Sequence, residues 1–361
     1  MKQHIDLENK TILVTGSPGF IGANLVIRLL SEMKSGTVIS LDNLNDYYDP
    51  KLKEYRLGLI EDASKASAVK HIFIKGDISS KDTVDKVFDE HKPDIVVNLA
   101  AQAGVRYSID HPEKYIESNI IGFYNILEAC RHSYDGGAKG VEHLVYASSS
   151  SVYGGNKKVP FSTDDKVDHP VSLYAATKKS NELLAHCYSK LYNIACTGLR
   201  FFTVYGPAGR PDMFYYSATE KLKHGEKIQI FNHGNMERDF TYIDDIVEGV
   251  FRVMQGAPEK SEGEDGLPVP PYALYNIGGG TPENLLEYIS VLQEELVAAG
   301  VLSADYDFEA RREWAPMQAG DVPITYADAS ALERDYGFKP TIGIRDGLRK
   351  FAIWYAEYYK K

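Results

Sequence analysis

The stretch TILVTGSPGFIG, at positions 11–22, decides the fold of this chain. An apolar, β-branched run, Thr11–Thr15, leads directly into three glycines, Gly16, Gly19 and Gly22. Gly16 permits a tight turn, Gly19 lets the backbone approach a pyrophosphate, and Gly22 lets a helix pack closely on the strand. The start of that helix offers unbonded N–H groups and a partial positive charge to phosphates. The stretch predicts a strand–turn–helix unit for a dinucleotide, although its GxxGxxG spacing makes the glycines weak evidence alone.

Strands and helices alternate through the first half of the chain. Ile21, Leu25 and Leu29 recur at helical spacing, and residues 115–130 keep a similar stripe. The near-continuous apolar runs typical of buried parallel strands are Thr11–Thr15, Thr37–Leu41, His71–Lys75, Ile95–Leu99 and His143–Ala147. This alternation predicts an α/β fold, a doubly wound parallel sheet of the Rossmann type.

The pattern changes after about residue 200, where loops lengthen. We expect a dinucleotide-binding domain over residues 1–199, rejoined by about 239–280. Residues 200–238 and 281–361 would form a smaller, mixed α/β substrate-binding domain. Within these ranges we predict one more strand, Ala273–Ile277, and two helices, Glu283–Ala299 and Arg345–Tyr358. Gly256–Pro271, rich in Glu, Gly and Pro, is predicted to be an exposed loop.

Composition excludes several classes of protein. The 361 residues are 43% hydrophobic and 25% charged, as in ordinary globular proteins. A net charge of -11 argues against a nucleic-acid partner, and no apolar run is long enough to span a membrane. No metal-ligand pattern is present. The cysteines, Cys130, Cys187 and Cys196, are interpreted as buried thiols in a reducing compartment, which predicts a cytoplasmic location.

Acidic and small residues follow the next predicted strands. Asp42 lies twenty residues beyond Gly22, where a carboxylate would accept hydrogen bonds from an adenosine ribose. The same charge would repel a 2′-phosphate, so NAD is favoured over NADP. Asp77 could reach the adenine, and Ala100–Ala101 would leave room for the cofactor. These positions all follow strands, where ligands bind open sheets.

A serine loop and a tyrosine–lysine pair form a candidate acid–base site. Tyr174 and Lys178 lie four residues apart in a helical segment, and residues 148–151, including Ser149, are serines that follow a strand. A positive charge ~4 Å from a phenol contributes roughly 4 kcal/mol at an effective dielectric of ~20, or about three pKa units. We therefore expect Lys178, with a cationic nicotinamide, to bring the pKa of Tyr174 towards neutrality.

These motifs resemble the extended short-chain dehydrogenase/reductase family, specifically its NAD-dependent epimerase/dehydratase group, and most closely the UDP-glucuronate 4-epimerases. The resemblance covers nearly the whole chain. Besides the glycine loop and the Tyr174–Lys178 segment, its motifs are residues 41–50 (LDNLNDYYDP), 99–106 (LAAQAGVR), 149–154 (SSSVYG), 200–207 (RFFTVYGP) and 238–245 (RDFTYIDD).

The resemblance implies an NAD-dependent enzyme that epimerises carbon 4 of a UDP-sugar, most closely UDP-glucuronate to UDP-galacturonate. Tyr174 would take the proton of the 4-hydroxyl while hydride passes to NAD, and the 4-keto sugar would turn before hydride returns. The implied cofactor residues are Gly16, Gly19, Phe20, Ile21, Gly22, Asp42, Asn43, Asp77, Ile78, Ala100, Ala101, Asn119, Tyr174 and Lys178. The implied substrate residues are Arg106, Ser149, Ser150, Thr203, Arg210, Gln229, Phe231, Arg238 and Asp321.

Several alternatives stay open at this point. Arg210 could grip a sugar carboxylate bidentately or be a solvated loop charge, and Phe231 could stack on uracil or be plain core. Related dehydratases and decarboxylases carry a carboxylate after the catalytic serine, whereas Ser150 and Ser151 stand here. A hexose 4-epimerase, a UDP-glucuronate decarboxylase and a non-catalytic NAD-binding scaffold are the rival functions. The family also implies a homodimer through helices at residues 115–133 and 172–192.

Overall fold

A seven-stranded parallel sheet forms the centre of the molecule. The structure, a computed structural model, describes residues 2–317 and 322–360. The strands are β1 Lys2–His4, β2 Thr11–Thr15, β3 Thr37–Asp42, β4 Lys70–Lys75, β5 Ile95–Asn98, β6 His143–Ser149, β7 Cys196–Phe201, β8 Thr203–Tyr205, β9 Ile228–Ile230, β10 Glu237–Arg238, β11 Phe240–Tyr242, β12 Gly256–Pro258, β13 Ser261–Glu262, β14 Pro268–Val269, β15 Tyr272–Ile277, β16 Glu283–Asn284 and β17 Arg312–Trp314. The sheet order is β15-β7-β6-β5-β2-β3-β4. The predicted doubly wound α/β fold is confirmed.

Helices cover both faces of this sheet. They are α1 Phe20–Glu32, α2 Pro50–Ala66, α3 Lys81–His91, α4 Tyr107–Asp110, α5 Pro112–Tyr115, α6 Gly122–His132, α7 Leu173–Tyr192, α8 Phe214–Lys223, α9 Ile243–Met254, α10 Leu285–Ala298, α11 Ser330–Tyr336 and α12 Ile344–Tyr358. Helices α1, α2 and α9 supply one apolar core. Helices α3, α6 and α7 supply a second core on the opposite face. Each central strand is therefore buried on both sides, which explains its continuous apolar sequence.

The chain reverses its direction of growth across the sheet between β2 and β5. From β2 it proceeds outward through β3 and β4, then returns to β5 and continues outward through β6 and β7. The crossover helices part at this point, so a crevice opens beyond the carboxyl ends of β2 and β5. The fold thereby places the glycine loop and the serine loop on the edge of one crevice.

Short strand pairs and helices after residue 200 lie against that crevice. Strand β8 pairs with β11, β9 with β17, and β10 with β16. Helices α10 and α12 pack on each other, and α8 contacts α10 and β9. Strand β15 returns to the main sheet beside β7, in register from Tyr272–Cys196 to Ile277–Phe201.

Three points of the sequence analysis need correction. Strand β7 was not predicted, although it is wholly buried. The expected loop at Gly256–Pro271 contains strand β12, paired with β1, and an exposed β13–β14 hairpin. Cys187 is exposed on α7, while the other two cysteines are buried. Each error concerns burial or pairing between distant segments, which local sequence patterns do not report.

Among the described residues, no helix combines the length and apolar character needed to cross a membrane.

Candidate active site

A cleft of about 920 Å³ lies at the carboxyl ends of the central strands. Its walls come from the glycine loop, the residues after β3, β4 and β5, the serine loop, α7 and the later strand pairs. The predicted site residues that line it are Gly16, Gly19, Phe20, Ile21, Gly22, Asp42, Asn43, Asp77, Ile78, Ala100, Ala101, Arg106, Ser149, Ser150, Tyr174, Lys178, Thr203, Arg210, Gln229, Phe231 and Arg238. Segments that are far apart in the sequence thus share one cavity.

The glycine loop leaves one end of the cleft open to an anion. Gly16 has φ +71°, and a Cβ on it would lie 2.7 Å from the backbone nitrogen of Ala100. Helix α1 begins at Phe20, and neither a side-chain cap nor an acidic residue occupies its first turn. Its first N–H groups and its dipole therefore face the cleft. This geometry fits the pyrophosphate of a dinucleotide.

Carboxylates lie beside that end of the cleft. Asp42, at the end of β3, accepts a hydrogen bond from the Leu44 backbone N–H at 2.6 Å, and burial raises the pKa of its carboxyl. Asn43 donates to Asp77 at 2.7 Å. Burial acts to raise the pKa of Asp77, but hydrogen bonds from Asn43 and Ser79 outweigh it and lower that pKa. These groups can accept hydrogen bonds from ribose and adenine, so they fit NAD.

Asn119 lies behind the cleft wall and is not among the residues that line it. Its Oδ1 accepts from the Gln102 N–H at 2.8 Å. Its Nδ2 donates to the Gln102 carbonyl at 3.0 Å and to Thr177 Oγ1 at 3.1 Å. The side chain therefore holds the loop after β5 against α7, and any effect on a cofactor passes through that loop.

The serine loop and α7 bring the acid–base residues into one corner. Ser149 is the last residue of β6, and its Oγ accepts from the Ser151 N–H at 3.1 Å. Ser172 caps α7 by accepting from the Ala175 N–H, which places Tyr174 and Lys178 in the first turns. Lys178 Nζ donates to the Ala147 carbonyl of β6 at 2.8 Å. Helix and strand are thus fixed to each other at the site.

In the protein alone, burial acts against the expected lowering of the Tyr174 pKa. Burial raises the pKa of Tyr174, and the opposing effects of Ser149 and Arg210 do not overcome it. Burial also lowers the pKa of Lys178 to about 8. The expected lowering of the Tyr174 pKa by Lys178 is therefore not produced by the protein itself. Burial disfavours the charged form of the Lys178 side chain, and this lowers its pKa although the ammonium donates to a carbonyl.

Arg210 lines the same cleft and is paired with a residue that the sequence analysis missed. Its Nε donates to Asp212 Oδ1 at 3.0 Å and its Nη2 donates to Asp212 Oδ2 at 2.7 Å. Tyr47 Oη donates to the same carboxylate at 3.3 Å. Both members of the ion pair line the cleft. Asp212 follows Arg210 by two residues, and this close spacing was the available signal.

A buried ion pair supports the serine loop from behind. Glu182 of α7 accepts from Arg200 Nε at 2.8 Å and from Nη2 at 2.9 Å. It also accepts from Ser148 Oγ at 2.7 Å. The two charged side chains are only 1–2% exposed. This network joins α7, β6 and β7 next to Ser149, so it fixes the geometry of the acid–base corner.

The far end of the cleft carries aromatic and basic side chains. The Arg106 guanidinium lies 5.4 Å from the centre of the Phe231 ring. Arg238 Nη1 donates to the carbonyls of Glu237 and Pro323. Gln229 is exposed in β9 and also lines the cleft. Asp321, the remaining predicted substrate residue, lies outside the described residues.

Comparison with known proteins gives consistent results. The family model described as the NAD dependent epimerase/dehydratase family matches residues 12–278. The protein CapI of Staphylococcus aureus is 48% identical over 97% of this chain and 99% of its own length. UDP-glucuronate 4-epimerase 4 of Arabidopsis thaliana is 44% identical over 97% of this chain and 76% of its own. The Bacillus cereus UDP-glucuronic acid 4-epimerase, solved with UDP-glucuronic acid and NAD, has a TM-score of 0.79 at 31% identity, over 97% of this chain and 100% of its own.

Proposed function

We propose that this chain, which belongs to the NAD dependent epimerase/dehydratase family, interconverts UDP-glucuronate and UDP-galacturonate. The coarser activity follows from the family and from relatives that cover nearly all of the chain: it is an NAD-dependent UDP-sugar 4-epimerase, an isomerase. The uronate is the finer proposal. The uronate assignment rests on the positive charge of Arg210, which lines the same cleft as Tyr174.

The cleft divides into two binding regions in this proposal. The glycine loop, Asp42, Asn43, Asp77 and the Ala100 segment would hold NAD, with Asn119 supporting that segment from behind. Thr203, Gln229, Phe231, Arg106 and Arg238 would hold the nucleotide part of the substrate, and Asp321 would join them. Phe231 offers an aromatic face for a base, and the two arginines offer charge for the diphosphate. The sugar then lies between Tyr174 and Arg210.

Three side chains would carry the proton chemistry. Ser149 and Tyr174 meet at one corner, where both hydroxyls can bond the sugar 4-hydroxyl. Tyr174 would accept that proton at its Oη and later return it, while Ser149 keeps the hydroxyl aligned. Lys178, anchored to the Ala147 carbonyl, holds its positive charge one helical turn away. Bound NAD supplies a reversible hydride acceptor for carbon 4 and a positive charge that favours the phenolate.

The single observation that carries the uronate proposal is the guanidinium of Arg210 in the same cleft as the acid–base corner. Both residues line this cleft, and the positive charge of Arg210 acts to lower the pKa of Tyr174. A carboxylate on carbon 5 of the sugar would lie beside carbon 4 and so within reach of Arg210. A neutral hydroxymethyl group would gain much less from a guanidinium.

A panel of UDP-sugars tests the proposal. Purified protein without added NAD is incubated with UDP-glucuronate, UDP-glucose and UDP-N-acetylglucosamine, and the products are resolved by NMR. We expect UDP-galacturonate as the main product, with kcat/KM for UDP-glucuronate at least tenfold above the other two. Preferred turnover of a neutral sugar, or release of carbon dioxide, would contradict the uronate assignment.

Two variants connect the panel to the residues. Tyr174→Phe should lower kcat by about 10²–10⁴-fold, because it removes the proton acceptor. Arg210→Leu should raise KM for UDP-glucuronate at least tenfold, whereas Lys81→Leu, on the exposed start of α3, should leave it unchanged. If Arg210→Leu affected all three sugars alike, Arg210 would not recognise the carboxylate.

We also propose a homodimer in the cytoplasm. Five apolar side chains near α6 and along α7 are 43–62% exposed: Ile116, Ile121, Tyr124, Leu183 and Leu191. Such a patch favours a protein interface, and unpaired cysteines favour a reducing compartment. Light scattering should give twice the 40.3 kDa chain mass, and Leu183→Glu should lower it. A monomer mass for the unmodified chain would contradict the dimer.

A further inference from the structure

Among the described residues, Arg210 finds oxygen acceptors for only one of its two hydrogen-bonding edges. A guanidinium can bind one carboxylate through Nε and Nη2 and another through Nη1 and Nη2. Asp212 occupies the first edge with bonds of 3.0 and 2.7 Å. No described residue accepts a hydrogen bond from Nη1, and Nη2 otherwise contacts only the sulfur of Met213 at 3.6 Å. The second edge is therefore available to a ligand in the cleft.

Asp212 is itself held in place. Tyr47 Oη donates to its Oδ2 at 3.3 Å, and the Tyr47 ring packs edge-on against Tyr107 at 4.8 Å. Gly104 makes room for this phenol, because a Cβ at that position would lie 2.5 Å from Tyr47 Oη. Burial acts to raise the pKa of Asp212, yet Arg210 outweighs it and the pKa is lowered. Asp212 is thus a fixed anion.

The pair places one positive and one negative charge in the same cleft as the acid–base corner. Arg210 and Asp212 act on the Tyr174 phenol in opposite directions. The other groups beside the phenol are Ser149 of β6, which hydrogen-bonds it, and Tyr115, whose ring centre lies 6.1 Å from that of Tyr174. A guanidinium without a partner would be mobile, since the long arginine side chain has many rotamers to lose. Pairing with Asp212 removes much of that freedom before substrate binds.

We propose that Asp212 is a positioning residue that sets the sugar specificity: it holds the Nε–Nη2 edge of Arg210 so that the Nη1–Nη2 edge receives a substrate carboxylate. Tyr47 acts through Asp212 in the same way, with a smaller effect. This inference rests on the proposed uronate substrate. The alternative role for Asp212 is competition with the substrate carboxylate for Arg210. Positioning and competition predict opposite changes in sugar discrimination when Asp212 is substituted.

Binding measurements on the Tyr174→Phe background separate these roles, because the sugar is then not consumed. The dissociation constants of UDP-glucuronate and UDP-glucose are measured by calorimetry with saturating NAD, and their ratio defines the discrimination. Asp212→Asn presents an amide N–H to a guanidinium N–H, so the guanidinium loses its orientation. We expect discrimination to fall at least tenfold in Asp212→Asn and about twofold to threefold in Tyr47→Phe. Asp62→Asn, on the exposed face of α2, is the matched control and should change neither constant.

Each outcome has one meaning. A ratio that falls supports positioning, whereas a ratio that is unchanged or rises overturns it, the rise indicating competition. General loosening of the fold would weaken both sugars equally and leave the ratio constant, so it also counts against the inference. If the Tyr174→Phe protein with Asp212 intact bound UDP-glucuronate no better than UDP-glucose, the proposed function itself would fail. That failure is visible before Asp212 is changed.

Discussion

The protein contains two arginine–carboxylate pairs with the same atomic pattern in different surroundings. Arg200 and Arg210 each donate through Nε and Nη2 to one carboxylate, at 2.7–3.0 Å. The Arg200–Glu182 pair is 1–2% exposed, while the Arg210–Asp212 pair is 27–29% exposed along the cleft. Geometry alone would give them equal importance. Their surroundings decide that the first is structural and the second is available to a ligand.

The unused edge of each guanidinium makes the same distinction. Nη1 of Arg200 is buried with no hydrogen-bond partner among the described residues, and its guanidinium lies 4.7 Å from the centre of the Tyr153 ring. Nη1 of Arg210 belongs to a side chain that lines the cleft. A cation against an aromatic ring is stabilised without water, whereas one that faces a cleft can exchange water for a substrate anion. We call the Arg200–Glu182 pair closed, because it is buried, and the Arg210–Asp212 pair open, because it lines the cleft.

The largest effect is expected from the closed pair. Glu182→Gln leaves Arg200 as an uncompensated buried charge, so the free energy of unfolding should fall by about 3–5 kcal/mol. Urea denaturation followed by circular dichroism measures this change. The double variant Glu182→Leu with Arg200→Met should recover much of the loss, because it removes both charges. A loss below about 1 kcal/mol in Glu182→Gln would show that water reaches Arg200.

His143, a buried histidine with no carboxylate partner in the described part of the chain, provides the contrasting case. His143 in β6 contacts Thr197 Oγ1 at 2.8 Å, and burial lowers its pKa to about 4 from the ordinary value near 6.5. The folded state keeps the His143 imidazole neutral, so the contribution of this residue to the free energy of unfolding is complete above pH 6.5. Between pH 6.5 and 4 the unfolded chain takes up the proton first, and up to about 3 kcal/mol of stability is lost. The free energy of unfolding of His143→Gln should therefore depend less on pH between 6.5 and 4 than that of the unmodified protein. Equal pH dependence in the two proteins would contradict the low pKa of His143.

A smaller change in stability is expected at the open pair. Asp212→Asn should lower the free energy of unfolding by only ~1 kcal/mol, since water can solvate the guanidinium that it leaves. The same urea experiment measures it, with Glu182→Gln alongside. An equal loss in the two variants would mean that the cleft pair is as structural as the buried one. The difference in sugar discrimination described above should then also be absent.

The smallest effect is expected at the surface. Asp62 and Lys65 on α2 form an ion pair at 2.8 Å with both side chains 74% exposed. Asp62→Asn should leave the denaturation midpoint unchanged within error, because water and salt screen such pairs. A measurable shift would indicate that exposure is a poor guide to the value of a charge pair in this protein.

Much of the site could be predicted because its signals are local. Gly16 with its following helix, and Tyr174 with Lys178 on one helical face, depend only on short-range spacing, and the structure brings both into the same cleft. Asn119 was harder, because its periodicity marks a buried position without showing which partner it has. Strand β7 and the Tyr47–Asp212 contact were missed, since each depends on a segment distant in sequence.

The sequence by itself determined the chemistry that is present: a dinucleotide loop, a strand-end carboxylate, a serine loop and a tyrosine–lysine pair. Only the tertiary structure decided the state of those groups. Burial raises the pKa of Tyr174. The guanidinium of Arg200 is buried against the Tyr153 ring, whereas that of Arg210 has one edge available to a ligand in the cleft. The physical reason is that solvation and partners depend on which distant segments meet, whereas spacing along the chain fixes only what each segment carries.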